Sequence, residues 1–189
     1  MTQIEKIALF DMDGTLFDHR GPLIRDLEYL RSPGEPEWTS DVIDDSPEYI
    51  KRRASLIRQS SEWWENLPKL QLGWDVLEIA KELEYRIMIL TQGPRSNPSS
   101  WAGKKRCIDK NLGSDIDMTI TRDKGLVYGT LLVDDFPPYA KRWLKWRKNG
   151  LVIMPASDEN SGFSHSQVIR YDGSNLERVK EAMVKARRR

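Results

Sequence analysis

Short apolar runs recur along the chain, each bounded by charged or turn-forming residues. These runs do not alternate apolar with polar positions, which is typical of strands that are buried on both faces of a parallel sheet. The pattern predicts strands over residues 7–10, 87–90, 118–121, 131–133 and 151–154.

Segments with helical periodicity lie between the predicted strands. They cover residues 74–83, 104–111 and 138–148, and a further helix is predicted at the end of the chain over 179–189. In the third segment Trp143, Leu144 and Trp146 fall on one stripe, which predicts core packing for both tryptophans. Strands alternating with helices predict an α/β fold, a three-layer α/β/α arrangement whose site lies at the carboxyl ends of the strands.

One long stretch interrupts this alternation after the first strand. We interpret residues 17–68 as a small helical cap, with helices over 22–31 and 47–65 and a turn-rich loop over 32–41. Residues 1–16 and 69–189 then form the core domain. The alternative is an elaborate crossover within a single domain. A chain of 189 residues suits one domain with a modest insertion.

The charge balance and the single cysteine limit the partners and the cellular compartment that we expect for this protein. Thirty basic residues nearly balance 29 acidic residues, so no overall field attracts nucleic acid or an anionic membrane. The single cysteine, Cys107, cannot form an internal disulfide, and the opening MTQIEKIALF lacks the apolar run of a signal peptide. No apolar stretch approaches the roughly 20 residues that cross a bilayer. We therefore expect a cytoplasmic protein without a membrane partner.

Two predicted strands end in pairs of acidic residues. Asp11 and Asp13 follow the first strand, and Asp134 with Asp135 follows the strand over 131–133. Carboxylates that share one edge of a sheet repel one another unless a cation or a proton lies between them. Magnesium prefers such oxygen ligands. The four acids therefore predict a Mg²⁺ site, although an acidic residue followed by glycine at a strand end can also serve only to form a turn.

The same strand ends carry the residue types that phosphoryl transfer requires. An ionised Asp11 can act as a nucleophile without a base, and a protonated Asp13 can donate to the leaving oxygen and later accept a proton from water. Thr91 and the adjacent Gln92 can hydrogen-bond the transferring group, and Lys124 can neutralise its oxygens. The alternative roles are a helix cap for Thr91 and a solvated loop residue for Lys124.

These residues resemble the four ordered motifs of phosphatases of the haloacid dehalogenase superfamily. The motifs are Asp11-Met12-Asp13-Gly14-Thr15, then Thr91, Lys124, and Asp134-Asp135. The resemblance implies a Rossmannoid parallel sheet and a phosphatase that works through an aspartyl phosphate. It implies that Asp11 is the nucleophile and that Asp13 is the acid and base, which also gives Mg²⁺ a backbone carbonyl. It implies that Asp135 binds the metal directly and that Asp134 contributes indirectly or through water, although the sequence does not decide the order of the two.

A narrower resemblance covers the segment ITRDKGLVYGTLLVDD, which is similar to the matching segment of the 5′(3′)-deoxyribonucleotidases. Arg122 matches an arginine of that family, Lys104 a lysine, and Trp63-Trp64 an aromatic pair before a Leu-Pro turn. This resemblance implies that the substrate is a nucleoside monophosphate. One of the two tryptophans is then expected to stack on the nucleobase of that substrate.

Three functions therefore follow from the sequence. The first is hydrolysis of nucleoside monophosphates. The second keeps the mechanism but acts on a polynucleotide 3′-phosphate end or another small phosphorylated metabolite, with the basic segment over 140–148 as the nucleic acid contact. The third is a binding protein that keeps the fold without turnover. The inserted cap is a candidate surface for a homodimer.

Overall fold

The computed structural model describes residues 5–36 and 45–188. The loop predicted over 32–41 and the end of the last predicted helix therefore lie partly outside the described residues. Within the described ranges, no helix has both the length and the apolar character needed to span a bilayer.

Six parallel strands form one sheet, which confirms the predicted α/β class. In chain order they are β1 (Ile7–Phe10), β2 (Arg86–Thr91), β3 (Asp117–Ile120), β4 (Leu131–Val133), β5 (Leu151–Pro155) and β6 (Val168–Tyr171). Their order across the sheet is β3-β2-β1-β4-β5-β6. Strand β6 was not predicted, because it lies at the edge, is only partly buried and carries a charged residue that breaks the apolar run.

Register places the site at the centre of the sheet. Phe10, the last residue of β1, pairs with Ile89 of β2 on one side and with Val133 of β4 on the other. The next residue, Asp11, continues the ladder by donating its N–H to the Val133 carbonyl at 2.9 Å. The residues that follow β1 and β4 therefore emerge side by side at the carboxyl edge.

Seven helices are described: α1 (Arg20–Tyr29), α2 (Glu48–Gln59), α3 (Ser61–Glu65), α4 (Gln71–Glu82), α5 (Pro98–Leu112), α6 (Pro137–Leu144) and α7 (Leu176–Arg188). Helix α6 packs on one face of the sheet, where Trp143 contacts a cluster that includes Leu9 and Val152. Helices α4 and α7 pack together and against β5. Helices thus cover both faces, as predicted for a three-layer fold.

The described residues divide into two compact units. The first runs to Phe17 and continues through Lys69–Gln92 and from Ile116 onward, so it contains the whole sheet with α4, α6 and α7. The second comprises Asp18–Pro68 and Gly93–Asp115. It has its own small core, built on Leu23, Leu27, Ile50 and Ala54. A helical cap therefore follows β1, as predicted, and residues 93–115 group with it.

Two helix predictions were wrong. The helix predicted over 47–65 is interrupted at Ser60, whose extended backbone (φ −73°, ψ 118°) ends α2, and its hydroxyl caps α3 by accepting the Trp63 N–H. The helix predicted over 138–148 ends at Leu144. Trp146 is consequently 63% exposed, whereas Trp143 is buried as predicted.

Substitution of Gly73 tests how the first unit packs. A Cβ at this position would lie 2.7 Å from the carbonyl carbon of Thr15, a backbone atom that cannot move aside. We expect Gly73→Ala to lower the free energy of unfolding by about 1–3 kcal/mol through overpacking, although alanine normally favours a helix interior. Chemical denaturation measures the change, and Gly162→Ala is the control because nothing lies within 4 Å of its Cβ position. An increase in stability for Gly73→Ala would contradict this packing.

Candidate active site

Three buried or half-buried carboxylates meet where β1 and β4 end. Asp11, Asp134 and Asp135 each place one oxygen so that all three oxygens lie within 4.8 Å of one another. Asp11 follows β1 and the pair follows β4, so the parallel register of these neighbouring strands brings the three together. The predicted convergence of the two acid motifs is therefore present.

Lys124 lies among these acids. Its ammonium group is 2.7 Å from Asp11 Oδ1 and 2.7 Å from Asp134 Oδ2, and its side chain is 1% exposed. The lysine begins a 3₁₀ turn, Lys124–Leu126, which Asp123 caps by accepting the Gly125 N–H. Lys124 is therefore a buried counterion and not a solvated loop residue.

The turn after β1 holds Asp135 in place. Thr15 donates its hydroxyl to Asp135 Oδ1 at 2.9 Å and accepts the Asp135 N–H at 3.1 Å. Gly14 has a left-handed φ of 79°, and a Cβ there would lie 2.5 Å from Asp135 Oδ2. The glycine therefore serves both the turn and the close approach of the carboxylate. Thr15 is not among the site residues that the sequence predicts, although it belongs to the DMDGT motif.

Burial and crowding of negative charge raise the proton affinity of this site. Burial raises the pKa of Asp11 well above its ordinary value, with Lys124 opposing the rise and the neighbouring acids adding to it. Burial, followed by repulsion from Asp134, raises the pKa of Asp135 from 3.8 to about 7. Burial lowers the pKa of Lys124, but attraction by Asp11 and Asp134 outweighs it and the net shift is upward.

This charge balance fits a divalent cation. Three carboxylates face one ammonium, so full ionisation leaves uncompensated negative charge in a buried place. All the donor atoms are carboxylate oxygens, the type that Mg²⁺ prefers. The site is thus chemically suited to the ion that the sequence predicts.

The two adjacent acids after β4 differ in how many of their carboxylate oxygens already accept hydrogen bonds. Both oxygens of Asp134 accept hydrogen bonds, Oδ2 from Lys124 and Oδ1 from the Phe136 N–H at 3.0 Å. Asp135 accepts only from Thr15 among its described side-chain partners, and through Oδ1. Asp135 therefore has the freer oxygen.

The other predicted residues of the first unit lie on the same edge of the sheet. Asp13 is half-buried in the turn after β1, two residues beyond Asp11, but it is not a member of the three-acid group. Thr91 is fully buried at the end of β2, and its carbonyl accepts the Thr121 N–H at 3.0 Å. Gln92 follows it and is half-buried.

Arg122 and Gln92 form a polar pair, and a residue absent from the prediction lies next to it. With its amide oxygen toward the guanidinium, Gln92 accepts from Arg122 at 3.0 and 3.2 Å. Tyr139 lies beside this pair, and its ring centroid is 4.5 Å from the Lys124 ammonium. Arg122 itself is exposed. Tyr139 comes from the first turn of α6 and matches no motif, so no sequence signal marks it.

Trp63, Trp64 and Lys104 belong to the second unit. Trp64 is 5% exposed and donates its indole N–H to the Arg58 carbonyl at 2.8 Å. The Lys104 ammonium is buried 5.0 Å from the centroid of the Trp64 ring. Trp63 is half-buried, packs edge-to-face on Trp64 and donates to Asp26 at 2.8 Å. Trp64 therefore has a structural role, and of the pair only Trp63 has an accessible ring.

No protein-family model matches the chain, and no curated protein matches it. Several solved structures match the chain. A candidate beta-phosphoglucomutase from Thermotoga maritima superposes with a TM-score of 0.55 at 16% identity, covering 95% of this chain and 99% of the other. The family IA, variant 3 HAD hydrolase from Entamoeba histolytica gives 0.53 at 14%, covering 97% and 100%. A HAD family hydrolase from Deinococcus radiodurans R1 with bound phosphate and sodium gives 0.50 at 11%, covering 94% and 89%. The chain therefore has the haloacid dehalogenase fold.

Stabilisation by Mg²⁺ should depend on pH. The folded pKa of Asp135, about 7, lies above its ordinary 3.8, so the folded state binds the extra proton and metal-free stability falls as pH rises from about 4 to 7. Mg²⁺ competes with that proton. We expect the Mg²⁺-induced rise in Tm to be small at pH 5.5 and larger at pH 8, measured by calorimetry with and without chelator. A pH-independent shift would contradict the site.

Removal of the Lys124 ammonium should destabilise the protein strongly. Lys124→Met leaves two buried carboxylates without their counterion, a loss of about 3–5 kcal/mol for a broken buried pair. The loss should be greater at pH 8 than at pH 5.5, because burial raises the pKa of Asp11 and a higher pH favours its ionised form. Lys180→Met is the control, because its 2.8 Å pair with Glu82 is exposed. Equal effects of the two substitutions in chemical denaturation would exclude a special role for Lys124.

Proposed function

We propose that this protein is a Mg²⁺-dependent phosphomonoester hydrolase with Asp11 as its nucleophile. The observation that carries the proposal is the contact of the buried Lys124 with Asp11 and Asp134, beside Asp135, at the carboxyl edge of the sheet. A nucleophilic carboxylate, a fixed cation and oxygen ligands at one place are the components of phosphoryl transfer. The fold shared with haloacid dehalogenase-like hydrolases supports the same chemistry.

In the first step an Asp11 carboxylate oxygen attacks phosphorus, and the bond between phosphorus and the ester oxygen breaks. Asp13 gives its proton to the departing alcohol oxygen. The products of this step are an aspartyl phosphate on Asp11 and the free alcohol. Asp13 is two residues from Asp11 across a tight turn and half-buried, which suits a group that reaches the leaving oxygen.

In the second step water attacks the phosphorus of the aspartyl phosphate. Asp13, now ionised, accepts the proton of that water, and the bond between phosphorus and Asp11 breaks. Inorganic phosphate leaves and both acids return to their starting states. Exclusion of other water from the acyl phosphate is required for this step to be controlled.

The remaining residues hold the metal ion or bind the oxygens of the phosphoryl group. Mg²⁺ held by the carboxylates of Asp11 and Asp135 and by the backbone carbonyl of Asp13 would keep those two carboxylates ionised and offset the charge of the phosphoryl oxygens. Asp134, with both oxygens engaged, holds Lys124 in place and is the indirect member of the pair. Lys124 and Thr91 bind phosphoryl oxygens.

For the substrate we propose a nucleoside monophosphate. The similarity of residues 120–135 to the 5′(3′)-deoxyribonucleotidases supports this class. In the second unit, Trp63 lines an open groove of about 530 Å³ together with Pro22, Arg25 and Ile57. A half-buried indole beside apolar and cationic side chains suits the stacking of a base.

A second candidate substrate is a polynucleotide 3′-phosphate end. It is favoured by the surface of α6 and the turn after it, where Lys141, Lys145, Trp146 and Lys148 are exposed. Basic side chains interleaved with an exposed indole are typical of contacts to single-stranded nucleic acid. Such activity would fall steeply with salt, unlike hydrolysis of mononucleotides.

The activity is tested with deoxyribonucleoside and ribonucleoside 5′- and 3′-monophosphates, oligonucleotide 3′-phosphates and sugar phosphates, by phosphate release with and without Mg²⁺. We expect Mg²⁺-dependent turnover that is highest on mononucleotides. Asp11→Asn should lower kcat by about 10³-fold or more because the nucleophile is lost, and Asp13→Asn by about 10²–10⁴-fold because the acid is lost.

Asp109→Asn is the matched control, because this aspartate of α5 pairs with Lys105 within the second unit and has no role in the chemistry. Its kcat should equal that of the wild type. Undiminished turnover in Asp11→Asn would exclude the mechanism, and a flat substrate profile would exclude the nucleotidase assignment while leaving the mechanism intact.

A further inference from the structure

Asn160 lies in the short segment that follows β5, and it is fully buried. Strand β5 ends at Pro155, and a 3₁₀ turn covers Asp158–Asn160. Because β5 pairs with β4 in parallel, this segment leaves the sheet at the same carboxyl edge as Asp134 and Asp135. An amide buried without hydrogen bonds would cost free energy, so its partners show what the residue does there.

The side-chain amide of Asn160 makes four hydrogen bonds. Its nitrogen donates to the Asp135 carbonyl at 3.0 Å and to the Pro155 carbonyl at 2.8 Å. Its oxygen accepts the Ser157 N–H and the Arg170 Nε–H, both at 3.0 Å. An amide has two N–H donors and an oxygen with two lone pairs, so this capacity is fully used. The orientation of the amide follows directly, because its nitrogen faces two carbonyls and its oxygen faces two donors.

Closure of the local turn accounts for only two of these bonds. The bonds to Pro155 and Ser157 join residues that lie within five positions of Asn160 in the chain. The bonds to Asp135 and Arg170 span 25 and 10 positions, and a turn after β5 requires neither. The amide therefore also connects the loop after β4 to strand β6.

Asp135 is held from both neighbouring strands. Thr15, which follows β1, contacts its N–H and its Oδ1, whereas Asn160, which follows β5, contacts its carbonyl. Strand β4 lies between β1 and β5 in the sheet, so the two contacts come from opposite sides. Together they fix the backbone of Asp135 on either side of its Cα, and the carboxylate is oriented as a consequence.

Arg170 orients the amide from the edge of the sheet. It is half-buried in β6 and stands in register with Met154 of β5. Its Nε donates to the Asn160 amide oxygen, and its Nη2 donates to the Ser157 carbonyl at 3.1 Å. A guanidinium is planar and holds its donors in a fixed fork, so it restricts rotation of the amide. A continuous series of hydrogen bonds thus runs from Arg170 through Asn160 to Asp135.

We propose that Asn160 is a positioning residue that fixes Asp135 for binding of Mg²⁺, and that Arg170 affects the same ion through Asn160. The proposal rests on the metal site of the proposed function. Groups that orient a metal ligand typically contribute about 10–100-fold to metal affinity. Asn160 bonds to the backbone of Asp135 and not to a reacting atom, so its loss should weaken Mg²⁺ binding without changing the chemistry of the bound enzyme.

Asn160→Ala tests the positioning role. Without the amide the Asp135 carbonyl loses its donor, so we expect the Kd of the whole metal-free protein for Mg²⁺, measured by titration calorimetry at pH 8, to rise by about 10-fold or more. Wild-type affinity in the folded variant would overturn the proposal.

Gln167→Ala is the matched control. The Gln167 amide nitrogen also bonds backbone carbonyls, those of Arg147, Lys148 and Gly150, but these lie before β5, at the edge opposite the acids. Both substitutions should lower the Tm of the metal-free protein, because each removes buried or half-buried hydrogen bonds. Only Asn160→Ala should weaken Mg²⁺ binding. Equal weakening in the two variants would reduce Asn160 to a structural role and overturn the proposal.

Arg170→Met provides a second test, which holds even where Asn160→Ala does not fold. Removal of a nearby cation would by itself tighten binding of Mg²⁺, whereas loss of positioning weakens it. We expect the Kd for Mg²⁺ to rise about 2–5-fold, in keeping with the loss of one hydrogen bond to the amide. In the Asn160→Ala background the same substitution should cause no further rise. A lower Kd in Arg170→Met alone would contradict the proposal.

Phosphate release separates this proposal from the proposed function. In an active wild type, the Mg²⁺ concentration for half-maximal hydrolysis of p-nitrophenyl phosphate should rise in Asn160→Ala in line with Kd, with kcat at saturating Mg²⁺ within about twofold of wild type. Absence of wild-type turnover on every phosphomonoester, with Mg²⁺ binding still weakened by Asn160→Ala, would remove the phosphatase function and keep the positioning role. An active enzyme whose Mg²⁺ affinity is unchanged by Asn160→Ala would do the reverse.

Discussion

The site depends on one buried interaction, the contact of the Lys124 ammonium with Asp11 and Asp134 at 2.7 Å each. A buried lysine is tolerable only where opposite charge and hydrogen-bond acceptors surround it, and buried carboxylates have the same requirement. Each partner therefore makes the burial of the others possible. Three carboxylates exceed the charge that a single ammonium can neutralise, so the site suits a further cation. Burial, followed by repulsion from Asp134, raises the pKa of Asp135.

The strands and turns of the first unit position the residues of this cluster. Parallel pairing of β1 with β4 brings Asp11 next to the pair after β4, and the turn at Gly14 with the Thr15 hydroxyl holds Asp135. The loop that carries Lys124 is tied to α6, since Asp123 caps the turn and also pairs with Arg142. The cluster is thus supported by backbone and side-chain contacts from several elements, which is the condition for a preorganised site.

The residues that the sequence predicts for the site are divided between the two units of the chain. All the acids, Lys124 and Tyr139 belong to the first unit, whereas the tryptophan pair and Lys104 belong to the second. Within the second unit Trp64 has a packing role. Its Cβ lies so close to Gly103 of α5 that a side chain at Gly103 would collide with it, and its indole N–H donates to the Arg58 carbonyl. Trp63 retains an accessible ring, and this difference between neighbours arises because adjacent residues on a helix point in different directions.

The sequence by itself determined the fold class, five of the six strands and the residues of the acid cluster, because buried parallel strands are uninterrupted apolar runs and the acids follow them directly. It did not reveal β6, whose edge position permits a polar residue, or the break at Ser60, where a cap residue lies inside a helical pattern. Only the tertiary structure decided that Lys124 is a counterion between two acids, that Asp134 has both oxygens engaged and that Tyr139 contacts the site. Those properties depend on side chains that are far apart in the chain, and local periodicity carries no information about such distances.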